Sequence, residues 1–498
     1  MMKRIFSIIL SLSLLATGLC ACTDSGDSSD THPDGTSPHS EGEPTVPVTD
    51  TAAPVETEAP ATEAPATEAP TEAVTVDPAV LEAEKQAKMK EIYESTTAIP
   101  LPLGGWATPA SALRDGYTGV EGSYDRVWAT LAESSVNFMI TLEEWSSGSW
   151  PLESLSSAKK AGLKLWYNCA GMSADYNAEK LAALLASPDA DALGAVYVKD
   201  EPSFDGIRET ADLITAARES LGETSLPVLG NLLPTYAPSD WVGGDYRTYV
   251  RTYLETAKPD ILMFDFYPYQ KGGDNIPNMV ANNAIAKEEA DRAGVPLYMY
   301  VQTSADSSYR EPTVEELQMN VHLDLAMGAK GIAYFLLCEH YAGWEYSSII
   351  DAEGNKTPMF DTVKTVNDRI SAMKGVYLGY DCKGLIICNY KGISNALSRA
   401  GCTTELDTYK HLAAAETNQR DKVAIGCFEN AAGEVGYYVV NLTYKGEGSV
   451  DLTFDGEMDY RLWSGEGLSD LGTAETLKVK LGAGEGVFIQ VSPAHTES

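Results

Sequence analysis

Positive charge is scarce in this chain: 36 Lys and Arg stand against 72 Asp and Glu, a formal net charge of -36. Neutralising phosphates needs clustered Lys and Arg, so a nucleic-acid partner is excluded, and the surplus of carboxylates serves solubility instead. Metal-ligand spacing is missing as well. The eight cysteines are scattered, without a CxxC pair or a Cys/His cluster, which argues against structural zinc, and nothing else calls for a metal or an organic cofactor. Cys169 and Cys338 fall in apolar strand-like runs and read as small core residues, while a disulfide among Cys382, Cys388, Cys402 and Cys427 stays open. No Gly-rich phosphate or dinucleotide loop follows the early strand-like segments, which weighs against a doubly wound nucleotide-binding sheet.

No membrane-spanning run is present either. Lys3 and Arg4 precede a short apolar stretch, Ile5 to Leu15, the pattern of a secretory signal. It ends in Leu19-Cys20-Ala21-Cys22, which resembles a bacterial lipobox with Cys22 as the lipidated residue. The resemblance implies removal of residues 1–21 and a protein held outside the cytoplasm on the cell membrane by lipid. Residues 22–76 are rich in Asp, Ser, Thr, Pro and Glu, with a near-repeat from Glu56 to Ala73. Such a segment has little to bury, repels itself and is stiffened by proline, so it reads as an extended stalk.

A chain of 498 residues exceeds one compact core, and two folded regions follow the stalk. Asp77-Pro78 caps a helix expected over Ala79 to Tyr93. Apolar extended runs then alternate with helical patterns. The expected strands are Pro102–Trp106, Val136–Leu142, Leu163–Asn168, Gly194–Val198, Val228–Leu232, Ile261–Phe266, Leu297–Val301 and Ile332–Leu337. The intervening helices include Arg208–Leu221, Tyr246–Ala257, Met279–Ala293 and Thr313–Met327, the last opened by a Thr313/Glu316 capping box and closed by Gly328. Eight strand–helix units over roughly 250 residues fit an α/β class (β/α)8 TIM barrel, here residues 77–377. From 378 to 498 helical periodicity fades, and Val423–Phe428, Gly436–Leu442, Ser449–Phe454, Tyr460–Trp463, Leu477–Leu481 and Gly486–Val491 suggest a small antiparallel β-sandwich.

In such a barrel the working residues stand at the C-terminal ends of the strands, whose loops share one open face. The residues delivered there are Trp106 from the first strand, Trp145 after the second, Asn168 from the third, and Asp200 and Glu201 from the fourth. Asn231 comes from the fifth, Asp265, Tyr267 and Tyr269 from the sixth, Gln302 from the seventh, and Glu339 and Trp344 from the eighth. Carboxylates interleaved with rings suit a carbohydrate, whose C–H faces stack on aromatics while its hydroxyls take hydrogen bonds.

Val198-Lys-Asp-Glu-Pro202 resembles the strand-four Asn-Glu-Pro signature of clan A glycoside hydrolases, including the family 42 β-galactosidase type. Phe264-Asp-Phe-Tyr-Pro-Tyr269, Glu311-Pro-Thr-x-Glu-Glu316 and Met327-Gly-Ala-Lys-Gly-Ile332 are similar to family 42 segments, and Leu481 to Val491 resembles the closing strands of the β-domain that often follows the barrel. The resemblance implies an O-glycosyl hydrolase with Glu201 as proton donor and Asp200 in place of the substrate-contacting Asn. One departure stands out. The clan's nucleophilic Glu lies at the end of strand seven, where this chain has Gln302, and an amide cannot form a glycosyl ester. Three readings follow: another carboxylate, Glu339 or Asp265, takes the role; the enzyme inverts; or the barrel binds sugar without cleaving it. Linkage, anomeric outcome and oligomeric state are not encoded in any recognisable motif.

Overall fold

A computed structural model describes residues 101–109, 123–141, 150–169, 176–339, 343 and 345–494. Every described residue belongs to one compact unit. Cys22, the stalk, the helix expected over Ala79–Tyr93, Trp145 and Trp344 lie outside the described residues.

Eight parallel strands close into a barrel: β1 Leu103–Trp106, β2 Phe138–Ile140, β3 Lys164–Asn168, β4 Leu193–Asp200, β5 Val228–Leu232, β6 Leu262–Asp265, β7 Leu297–Gln302 and β8 Gly331–Phe335. Each pairs with its neighbours in sequence, and β8 closes onto β1. A helix follows every strand: α1 Ser123–Ala132, α2 Trp150–Ala161, α3 Ala178–Leu185, α4 Ile207–Leu221, α5 Tyr246–Thr256, α6 Ile276–Ala293, α7 Val314–Ala326 and α8 Pro358–Ser371. All eight expected strands are found, within a few residues at each end.

Alternation decides what faces the axis. On β7, Leu297, Met299 and Val301 join the apolar layer under the helices, which turns the buried Tyr298, Tyr300 and Gln302 inward. On β5 and β6 the same rule sends Asn231 and Asp265 inside. Rings fill the interior: Phe138 stacks on Trp166 with centroids 4.0 Å apart, and Trp166 lies 5.8 Å from Tyr298. Gly331 makes the room, since a Cβ there would sit 2.4 Å from the Tyr298 ring. The interior is a packed core, open to chemistry only at its rim.

The second layer is one antiparallel sheet of seven strands: β9 Tyr380–Cys388, β10 Leu412–Glu416, β11 Val423–Asn430, β12 Val435–Asn441, β13 Gly448–Ser464, β14 Gly467–Leu481 and β15 Gly486–Pro493. Two features depart from the sequence reading. Ser449–Phe454 and Tyr460–Trp463 are halves of the single long β13, whose first part pairs with β10 and whose last part pairs with β15. The sheet also includes β9 and β10, with helix α9 Lys391–Arg399 between them, in a stretch where no element had been assigned. The bulge between Cys382 and Gly384 and the Ala-rich Leu412–Glu416 blur the strand signal there.

Helix α7 explains how the two layers join. Its Thr313 capping box is formed as expected, but every residue from Glu316 to Ala326 is buried, because the barrel covers one side and the sheet the other. The sheet backbone comes so close that a Cβ on Gly426 would lie 2.1 Å from the Ala326 carbonyl oxygen. His322 of α7 and the Tyr438 hydroxyl of β12 are 2.7 Å apart across this contact. Cys169 and Cys338 are buried as read from sequence, and all six described cysteines are free thiols.

Candidate active site

The site begins with an irregularity in β4. Tyr197 pairs with Leu229 and Asp200 with Asn231, so β4 spends three residue steps where β5 spends two. This bulge puts Tyr197 and Asp200, which strict alternation would separate, on the same inner face. The Tyr197 hydroxyl donates to Asp200 Oδ1 at 2.7 Å. Glu201 follows in the left-handed region, with φ of 45°. A non-glycine residue there costs of order 1 kcal/mol and persists only where its surroundings hold it. Here the Glu201 N–H donates to the Asn231 carbonyl at 2.9 Å, and the Tyr249 hydroxyl from α5 donates to the Pro202 carbonyl at 2.5 Å.

Three carboxyl groups converge at this rim. Glu201 and Asp265, from β4 and β6, hydrogen-bond to each other. Between them on β5, the Asn231 amide donates to Asp265 Oδ1 at 3.1 Å and to Asp200 Oδ1 at 3.3 Å. Asn231 Oδ1 is buried with no hydrogen-bond partner, an acceptor left over for a ligand. Burial, then the charges of Asp265 and Asp200, push Glu201 well above the usual carboxylate range. Burial and the Asp200 charge raise Asp265 to about 7, against the opposing bonds from Asn231 and Glu201. Asp200 is raised by burial too, but the Tyr197 hydroxyl, the Asn231 amide and the Lys199 charge pull it back. Of this pair Glu201 is the carboxyl pushed towards its protonated form, and it shares a hydrogen bond with Asp265. Lys199 itself lies 4.0 Å from Glu209 on α4, on the helix side of the barrel wall.

Rings surround the acids. Trp106 lies 5.9 Å from Phe335, Phe335 lies 5.3 Å from Tyr267 and 5.4 Å from Tyr346, and Tyr267 lies 6.0 Å from Tyr309. Tyr309 hydrogen-bonds Tyr236, whose ring meets Phe266 at 4.9 Å. Tyr267, Phe335 and Tyr236 keep part of their surface in solvent. Burial holds the tyrosine hydroxyls above their ordinary value, Tyr309 at about 12, and the nearby Asp265 and Glu201 charges add to it. They stay protonated and able to donate.

The structure thus gathers Glu201, Asp200, Asp265, Asn231, Tyr267 and Trp106 from the sequence reading, with Asn168 buried on the inner end of β3. It engages two others elsewhere, Gln302 and Tyr269. Gln302 is 2% exposed and its amide is fully engaged: Oε1 accepts from the Tyr269 N–H at 2.9 Å, and Nε2 donates to the carbonyls of Tyr269 at 3.0 Å and Arg310 at 2.8 Å. It clamps the loop after β6 to the loop after β7 and has nothing left for substrate. Tyr269 is completely buried, its hydroxyl on the Glu316 carbonyl and its ring under Arg310, so it braces α7. Glu339 lies in the loop after β8, partly exposed, with its N–H on the Ile350 carbonyl. The sequence reading missed Tyr197, Tyr300, Phe335, Tyr309 and Tyr346. Alternation from Gln302 marks Tyr300 as inward, whereas the loop residues Tyr309 and Tyr346 carry no periodic signal.

No protein-family model matches the chain, and no curated protein does. Among solved structures, the β-galactosidase from Bacillus circulans sp. alkalophilus is similar, with a TM-score of 0.52 at 8% identity over 80% of this chain and 100% of that one. A GH42 β-galactosidase from G. stearothermophilus aligns with a TM-score of 0.49 at 9% identity, covering 79% and 99% of the two chains. A GH27 β-L-arabinopyranosidase from Geobacillus stearothermophilus gives 0.42 at 11%, covering 82% and 99%. At 8% identity the first likeness shows a shared fold, the closed barrel with its following β-domain.

Proposed function

We propose that the protein is a glycoside hydrolase that cleaves O-glycosidic bonds in extracellular oligo- or polysaccharides, with Glu201 as the acid that protonates the leaving oxygen. One observation carries this reading: at the open rim of a barrel the partly buried Glu201 carboxyl is pushed well above the usual carboxylate range and is hydrogen-bonded to a second carboxyl, Asp265. A leaving alkoxide is a poor leaving group, so cleavage near neutrality needs a proton delivered by an acid whose pKa has been raised towards the working pH. The wall of half-exposed rings supplies stacking faces for sugar C–H groups. Presentation at the cell surface through lipid on Cys22 is part of the same reading; Cys22→Ala is expected to move the protein from the membrane to the soluble fraction, and unchanged membrane association would refute the anchor.

The test is a panel of aryl glycosides and glycan extracts offered to the wild type and to Glu201→Gln. The variant should lose about 10²–10⁴-fold in kcat/KM on glycosides with poor leaving groups. Equal turnover by both would remove Glu201 from the role. Glycan binding without turnover by the wild type would leave a carbohydrate-binding protein.

A further inference from the structure

We infer that Asp265 is the catalytic nucleophile and that hydrolysis proceeds with retention of anomeric configuration; this rests on the hydrolase reading above. The position that would supply a nucleophile from β7 is closed, because the Gln302 amide is spent on the backbone of Tyr269 and Arg310. Asp265 is one strand away, at the inner end of β6, and its carboxyl is in hydrogen-bonding contact with Glu201.

The hydrogen bond between the two acids favours one stereochemistry. An inverting pair stands about 6.5–9.5 Å apart so that a water fits between acid and base, whereas a retaining pair is about 5–5.5 Å apart. Acids in hydrogen-bonding contact need to part only slightly to admit an anomeric carbon. Asn231 restrains Asp265 by donating to both it and Asp200. Asn231 is therefore a positioning residue for the nucleophile.

The steps balance. An Asp265 carboxylate oxygen attacks the anomeric carbon as the bond to the leaving oxygen breaks, and that oxygen takes the Glu201 proton. The products are an alcohol and a glycosyl ester on Asp265. The Glu201 carboxylate then removes a proton from water as the water oxygen attacks the anomeric carbon. The ester bond breaks, and Asp265 leaves as carboxylate.

Three readouts on the full folded chain test the assignment, using an aryl glycoside that the wild type hydrolyses. The first sugar product, followed by NMR, should appear in the substrate's anomeric configuration. The matching 2-deoxy-2-fluoro glycosyl fluoride should label the wild type once, with the mass increment on the peptide containing Asp265. Asp265→Ala should lose about 10⁴-fold or more in kcat/KM, and azide should restore turnover of an activated aryl glycoside as a glycosyl azide of opposite configuration. The trapping experiment needs no variant, so a poorly folding Asp265→Ala does not shield the claim. Label on Glu339 or Asp200, an inverted first product, or full activity in Asp265→Ala overturns the assignment and leaves the hydrolase reading standing. No turnover of any glycoside by the wild type sinks both.

Discussion

Charge placement among three neighbouring acids is the residue-scale event on which the chemistry turns. Asp200 collects hydrogen bonds from Tyr197 and Asn231 and the pull of Lys199, and it is the acid best suited to stay ionised. Its charge then acts on the other two: it follows burial as the second cause of the rise in Asp265 and is the third in Glu201. The sign follows directly. A raised pKa in Asp265 means that activity needing its carboxylate falls as pH drops through about 7. In Asp200→Asn the repelling charge is gone, ionisation of Asp265 becomes easier, and the acid limb of the kcat/KM profile should move to lower pH, by roughly one unit for about 1.4 kcal/mol of lost repulsion. An unmoved limb would show that Asp200 does not set it. The identity of Glu201 and Asp265 as candidates was legible in the sequence, since each stands at the end of an apolar strand. Their contact was not, because it depends on the bulge and on Asn231 reaching both ways.

Strands and loops explain why β7 ends in an amide. Gln302 meets one N–H and several carbonyls, a mixture that only a group with both a donor and an acceptor can satisfy. Gln302→Glu would turn a carboxylate towards the carbonyl oxygens of Tyr269, Ser304 and Arg310. The expected result is a loss of about 2–4 kcal/mol in urea denaturation and no gain in turnover. A stable, faster variant would show instead that the site accepts a nucleophile from β7. Reading Gln302 as a substrate contact failed for a plain reason: alternation places a side chain inside, but the loops above it decide what its polar atoms meet. Tyr269 misled in the same way, lying beside Tyr267 in sequence yet turned under Arg310 and onto α7.

At the level of the whole molecule, barrel and sheet share α7, so neither layer completes its core alone. Glycine is required where they touch: a Cβ at position 426 would meet backbone, which cannot swing aside as a side chain can. Gly426→Val should cost about 3 kcal/mol or more and lower the melting temperature of barrel and sheet together in one transition. Separate melting of the two layers, seen by calorimetry, would contradict a shared core.

Apolar extended runs alternating with helical stretches were enough, without coordinates, to point to the eight-stranded barrel, because each strand must bury one face outward against a helix and the other towards the axis. Residue chemistry at the strand ends, with the Asp-Glu-Pro resemblance, named Glu201, Asp265 and Glu339 as candidates. Folding decided which acids touch, which ring edges remain in solvent and which polar groups are already satisfied. Those outcomes depend on a bulge, a left-handed turn and loop backbone brought together from distant parts of the chain, and none of these leaves a periodic trace in the residues themselves.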